Sequence, residues 1–157
     1  MDADEPGWPM IDDVFRDLAV GRSTATVRRY LRVRARLYAF LDTADLRGAL
    51  GAEASAVLHE ARRQHDDGAF WAVLGVDELA RCLPVLAAEP WLPDGSAEAR
   101  VHLSVVSRLA ARLGDSPGRH DVHAAVDLSR ELLDVRPSAT EPPRMPDRFL
   151  RRPGPSW

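Results

Sequence analysis

The arginines between Arg22 and Asp42 form a run of like charge that could contact a polyanion. The run holds six arginines against one aspartate, a local charge of +5. Three of them are spaced i, i+4 and i+8, so on a helix they lie along one side with a fourth beside them. Guanidinium groups at successive helical turns can contact the phosphates of a nucleic-acid backbone. The sequence therefore predicts a DNA-binding surface, here called the arginine face, made of Arg22, Arg28, Arg29, Arg32 and Arg36.

A charged helix face can instead be solvated and neutralised within its own protein. The sequence offers Asp12, Asp13, Asp17 and the acidic N-terminus as internal partners for the arginine face. Arg34 stands apart from the other arginines because it falls among the apolar positions of the same helix. It must extend to water, pair with a carboxylate or line a functional pocket. Because an unpaired buried charge is costly, its position favours a functional role.

Candidate catalytic residues lack a supporting context. His59 and Arg62 form an H-x-x-R pattern, and His120 and His123 form an H-x-x-H pattern without a third metal ligand. The chain has no glycine-rich phosphate loop and no G-x-S-x-G motif. Its single cysteine, Cys82, lies in an apolar run, which favours burial over reactivity. We therefore predict a non-enzymatic protein with no cofactor and no bound metal.

Hydrophobic periodicity predicts an all-α fold of five or six helices in one compact domain. The central helix runs from Ser23 to Asp42, with Ser23 or Thr24 as its N-cap. Other helices are predicted at about 11–20, 52–64, 97–113 and 121–135, and one more follows a cap at Asp77 and is kinked or ended by Pro84. Ser96 is the predicted N-cap of the 97–113 helix. Positions predicted to face the core include Leu31, Val57, Leu128 and Leu132.

The ends of the chain differ in composition from its middle. Residues 1–9 are predicted to be an acidic flexible arm, residues 10–135 the helical domain, and residues 136–157 a disordered tail rich in Pro and Arg. The tail carries five arginines against Glu141 and Asp147, a net charge of +3. A segment near its end could fold on contact with a partner. Its candidate partner-binding residues are Phe149, Leu150, Arg151 and Arg152.

Composition limits the compartment and the global electrostatics. The 157 residues carry a net charge of −3, so any affinity for nucleic acid must come from a local patch. All 21 basic residues are arginine, which suggests a coding bias and weakens arguments from the choice of Arg over Lys. The acidic N-terminus has no signal-peptide pattern, and the longest apolar run, 69–76, is far shorter than the roughly 20 residues that span a bilayer. We expect a cytoplasmic protein without a membrane partner.

The start of the central helix resembles a known DNA-binding module. The pattern Ser23-x-x-Thr26-x-x-x-Tyr30, followed by Leu37, Phe40 and Leu41, is similar to the opening helix of the N-terminal core-binding, SAM-like domain of tyrosine recombinases and phage integrases. The resemblance covers roughly residues 10–113. It implies a compact helical domain that grips duplex DNA through basic helix faces, without the catalytic domain of that family.

These observations lead to one functional prediction and its alternatives. We predict a helical DNA-binding or accessory protein that uses the arginine face. The alternative is a protein–protein adaptor or regulatory protein, with self-association left open, whose arginine face binds an acidic partner. A small-ligand enzyme would need a polar pocket around His59 or His102, which the sequence does not suggest.

Overall fold

A computed structural model describes residues 8–114 and 118–135 of the chain. Within these residues every regular element is an α-helix, which confirms the all-α prediction. None of the described helices is both long and apolar enough to cross a membrane. The described residues form eight helices: α1 (Trp8–Ala19), α2 (Thr24–Thr43), α3 (Arg47–Leu50), α4 (Ala52–Gln64), α5 (Ala69–Val73), α6 (Val76–Leu86), α7 (Ser96–Arg112) and α8 (Arg119–Val135).

The connection between α1 and α2 follows directly from local sequence. Gly21 adopts a φ of 68° after the end of α1, a backbone conformation that favours glycine. Ser23 is the N-cap of α2, as predicted, and its hydroxyl oxygen accepts a hydrogen bond from the Thr26 backbone N–H at 3.3 Å. The cap satisfies one of the backbone donors that a helix start leaves without a partner. The predicted central helix is therefore present with its predicted start.

The core forms around α7, against which α2 and α6 pack their apolar sides. The buried side of α2 is narrower than predicted: it consists of Val33, Leu37, Phe40 and Leu41, while Leu31 is half exposed. Trp91 meets the core at the edge of Phe40, with ring centroids 5.1 Å apart and planes at 87°. α7 packs against α1, α2, α6 and α8 and is buried along most of its length. The helix that carries most arginines is thus anchored on α7.

Two short helices, α3 and α5, were not predicted and raise the number of helices above five or six. α3 has four residues and α5 has five, too few for a helical period to show in the sequence. Each contributes a buried side chain, Leu50 from α3 and Phe70 from α5. Gly51 ends α3 with a φ of 84°, and Gly68 precedes α5 with a φ of 68°. These two helices are too short to be stable on their own, so the burial of their apolar side chains in the core accounts for their formation.

The ends of α6 and α7 differ from the sequence prediction. The N-cap of α6 is Gly75, whose N–H donates to the Glu78 carboxylate at 3.0 Å, and Asp77 lies in the first turn. The predicted cap at Asp77 is therefore wrong. Pro84 lies inside α6 and does not end it. The N-cap of α7 is Gly95 rather than Ser96, which is the first residue of the helix.

Gly118 lies where α8 approaches the backbone of α6. A side-chain carbon at Gly118 would lie 3.5 Å from the Ala80 carbonyl oxygen, and its φ is 99°. Pro84 has no backbone N–H, so the carbonyl of Ala80, four residues before it, lacks the usual hydrogen bond within the helix. Glycine at 118 therefore fits the backbone conformation, whereas a side-chain carbon there would meet α6 only at an ordinary contact distance.

Besides Leu31, three further positions predicted to face the core are exposed. Val57 on α4 and both Leu128 and Leu132 on α8 have about half or more of their side chains in solvent. The helices that pack against α4 and α8 cover only part of the apolar side of each helix. The apolar residues outside these contacts therefore remain in solvent. The buried residues of α8 are Val122, Val126, Ser129 and Leu133.

Candidate nucleic-acid interface

The arginine face begins in the turn before α2 and continues along the first four turns of this helix. Arg22 lies in the turn, and Arg28 lies on the outer side of α2; both are exposed. Neither side chain forms a hydrogen bond or an ion pair within the part of the chain that the structure describes. Two arginines of the predicted face are therefore available to an external anion.

Arg29 and Arg32 share a single carboxylate from α7. Arg32 Nη2 donates to Glu98 Oε1 at 2.7 Å, and Arg29 Nε lies 3.5 Å from the same oxygen. The hydrogen bond from Arg32 lowers the pKa of Glu98, and the charges of Arg29 and Arg36 lower it further. About half of each of the Arg29 and Arg32 side chains stays in solvent. Water screens pairs whose arginines are about half exposed, so these pairs contribute little to stability and an external phosphate could replace Glu98 as partner.

Arg36 is the least exposed member of the arginine face. Its side chain is half buried on the side of α2 that packs against α7. Its positive charge acts on Glu98 and on His102, both of which belong to α7. Five arginines and one carboxylate leave this surface with a net charge of +4.

The acidic residues of α1 do not neutralise the arginine face. Asp13 pairs with Arg16 on the same helix, and Asp17 approaches Arg112 at 3.8 Å. Asp12 accepts a hydrogen bond from Arg34 Nη2 at 2.6 Å. The pairing expected with Asp12, Asp13 and Asp17 is therefore wrong, since the carboxylate that meets the face within the described residues is Glu98 of α7, while residues 1–7 of the acidic arm lie outside them.

Arg34 is a structural residue on the flank of α2 that faces α1. Besides its bond to Asp12, it donates from Nε to the Tyr38 hydroxyl oxygen at 2.8 Å, and the Tyr38 hydroxyl donates to Asp12 Oδ1 at 3.0 Å. Burial raises the pKa of Tyr38, and its hydrogen bond to Asp12 adds to the rise, while Arg34 acts in the opposite direction. Of the three roles open to Arg34, pairing with a carboxylate is the observed one. Its position in the apolar arc therefore no longer favours a functional pocket.

The H-x-x-R pattern divides into one exposed and one structural residue. His59 is exposed and lines a groove of about 460 Å³ between the end of α2, α3 and α4. Arg62 reaches the end of α2, where Nη1 donates to the Ala44 carbonyl at 2.8 Å and Nη2 to the Leu41 carbonyl at 2.6 Å. Burial lowers the pKa of Arg62, and nearby Asp residues oppose this effect. Both terminal nitrogens of Arg62 are thus occupied by the fold.

His102 and Cys82 are buried, in contrast to His59. His102 Nε2 donates to the Leu86 carbonyl at 2.7 Å, and within the described residues Nδ1 has no hydrogen-bond partner. Burial lowers the pKa of His102 and the charge of Arg36 lowers it further, although the bond to Leu86 opposes both. Burial raises the pKa of the Cys82 thiol to about 12. His102 is fully buried among the described residues, and the neutral thiol of Cys82 is a poor nucleophile.

The remaining predicted sites are placed as follows. His120 and His123 are exposed on α8, and no group of three or more metal-ligating side chains is assembled in residues 8–114 and 118–135. The tail candidates lie outside the described residues, as do residues 1–7 of the acidic arm; α1 already begins at Trp8. The tail candidates are Phe149, Leu150, Arg151 and Arg152.

Sequence reasoning missed Glu98 as a member of this surface. An acidic residue in the first turn of a helix is common because the helix dipole favours it, so Glu98 carries no signal of its own. Its relation to the arginines arises only from the packing of α7 on α2, across 66 residues of sequence. No family model, curated protein or solved structure matches this chain.

Proposed function

We propose that this chain is a non-enzymatic helical protein that binds duplex DNA through the arginine face. The observation that carries the proposal is the imbalance of charge on this surface, where, among the residues that the structure describes, one carboxylate faces five guanidinium groups. Arg22 and Arg28 have no internal partner in the described residues, and Arg29 and Arg32 have only the partly exposed Glu98. Such a surface can contact the phosphates of a duplex without base-specific readout.

The organisation of the chain is part of the same proposal. The packing of α7 against four other helices supports a single domain over residues 10–135, with the arginine face on its outside. The resemblance to the core-binding domain of tyrosine recombinases is retained as a hypothesis, and it concerns DNA binding alone. A cytoplasmic location is proposed with it.

The test is duplex-DNA binding by fluorescence anisotropy at about 50 and 200 mM salt. The variant is Arg28→Ala/Arg32→Ala/Arg36→Ala. If each of these arginines meets one phosphate, the variant loses about 2.7 from the slope of log affinity against log salt, because each contact contributes about 0.9. Between the two salt concentrations, binding by the wild type would then weaken about 40-fold more than binding by the variant.

A matched control removes the same charge elsewhere. Arg16, Arg63 and Arg130 are exposed, and each lies within 4.0 Å of a carboxylate three residues before it on its own helix. The control variant Arg16→Ala/Arg63→Ala/Arg130→Ala should keep the affinity and most of the salt slope of the wild type. Equal losses in both variants would mean that net charge, not the arginine face, governs binding. Failure of the wild type to bind at low salt would refute the proposal and leave an acidic protein as the ligand of this face.

A further inference from the structure

The last described helix, α8, has a second apolar side that no described residue covers. Leu128 and Leu132 are each 58% exposed, and Val135 is 79% exposed. Their spacing of i, i+4 and i+7 places them along one side of the helix, here called the apolar stripe. Single exposed apolar residues are common, but three in register on one helix are a feature of binding surfaces.

The charges around the apolar stripe are predominantly acidic. Glu131 lies three residues after Leu128 and Asp121 seven residues before it, so both lie on the same side of α8 as the stripe. Both are exposed, and neither forms an ion pair within the described part of the chain. Asp121 also lines an open groove of about 530 Å³ between α3, α6 and α8. Arg81 lines the same groove without an ion pair to Asp121 in the described residues, so the two carboxylates that border the stripe can still bind a basic and apolar ligand.

Such a segment follows α8 directly in the same chain. Residues 136–157 carry a net charge of +3 and include the adjacent apolar residues Phe149 and Leu150, with Arg148 before them and Arg151 after them. Phe149 lies fourteen residues beyond Val135, a stretch that can reach up to about 50 Å when extended. The 17 residues of α8 span only about 25 Å, so the segment can reverse direction and reach any point along the stripe.

We propose that the tail binds back onto α8, with Phe149 and Leu150 on the apolar stripe and the flanking arginines near Asp121 and Glu131. Covalent attachment supports this occupant over others, because a ligand joined to its site by a short stretch of the same chain has an effective concentration of about millimolar. A contact that would be weak between separate molecules is then populated within one chain. The proposal goes beyond DNA binding and does not depend on it.

The experiment uses the full chain with a spin label at Pro153→Cys, close to the proposed contact. Cys82 is fully buried, so the new cysteine can be labelled selectively, and unlabelled wild-type protein treated in the same way verifies this. Methyl NMR signals of Leu128 and Leu132 should lose intensity in the paramagnetic state relative to the reduced label. Val57, which is also about half exposed but lies on α4, is the reference signal and should keep its intensity.

Two further samples determine the cause of the intensity loss. Phe149→Ser/Leu150→Ser in the labelled chain should restore the signals of Leu128 and Leu132, whereas Trp157→Ser, which removes another large tail residue, should not. Equal loss at Val57 and Leu132, or no effect of the double substitution, would overturn the proposal. A mixture of isotope-labelled chains and separate spin-labelled chains should show no loss. Loss in the mixture would overturn it as well, because a second copy would then cover the stripe.

Discussion

Replacing Arg62 with methionine should destabilise the fold strongly and leave DNA binding intact. Arg62 donates two hydrogen bonds, at 2.8 and 2.6 Å, to the carbonyls of Ala44 and Leu41 at the end of α2. Both of these residues are buried, so their carbonyls lose their partners without free access to water. Hydrogen bonds from a charged donor contribute about 1.5–3 kcal/mol each, and the substitution keeps the apolar stem of the side chain. Because Arg62 is only partly buried, we expect a net loss of about 2–4 kcal/mol.

Urea denaturation measures this loss. With a slope of about 1.5 kcal/mol per molar urea, the midpoint should fall by about 2 M while the slope stays unchanged. The matched control is Arg63→Met, the neighbouring arginine, which is exposed and pairs only with Glu60 at 3.2 Å. This control should change stability by less than about 0.5 kcal/mol. If the two variants lose the same amount of stability, the hydrogen bonds from Arg62 to the two carbonyls do not stabilise the fold as we infer. Loss of DNA affinity in a folded Arg62→Met variant would place Arg62 at the interface instead.

Two further predictions concern the buried polar residues. Burial lowers the pKa of His102 below its usual 6.5, so the unfolded chain takes up a proton at a higher pH than the native protein does. The free energy of unfolding should therefore be constant above about pH 7 and decrease below pH 6.5. It should level off only below the pKa of His102 in the native protein. Urea midpoints across this range test the effect, and in His102→Gln, which keeps a donor, this pH dependence should be absent. Cys82, with a pKa of about 12, should resist a thiol reagent at neutral pH in the native protein and react fully in denaturant. Rapid reaction without denaturant would contradict the burial assigned to it.

Local signals in the sequence predicted the longer helices well. The helix at 52–64 has the predicted bounds, and Ser23 caps α2 as expected. Both predictions succeeded for the same reason: the hydrophobic period and the capping residue of a helix depend only on residues that are close together in the sequence. α3 and α5 lack such a period and form because Leu50 and Phe70 fit the core, which only the assembled fold provides.

The errors at individual positions arose where packing between helices decides. Leu128 and Leu132 have the same residue type as Leu133, yet Leu133 is buried and the other two are exposed. The sequence marks all three as apolar and cannot tell which side of α8 meets α6 and α7. The partner of Arg34 was equally hidden, because Asp12 comes from another helix, 22 residues away.

Glu98 explains how the arginine face can be both part of the folded structure and available for binding. A guanidinium row with no internal partner would repel itself, and one exposed carboxylate relieves this repulsion at little cost in stability. The Arg32–Glu98 bond is partly exposed, so the proposed duplex could compete with it, because a nucleic-acid backbone offers successive phosphates, each with one negative charge, to several arginines at once. Arg34, paired with Asp12 and Tyr38 on the other flank of α2, fixes this helix against α1. The flank of α2 that contains Arg34 thus fixes the helix against α1, and the opposite flank carries the arginine face.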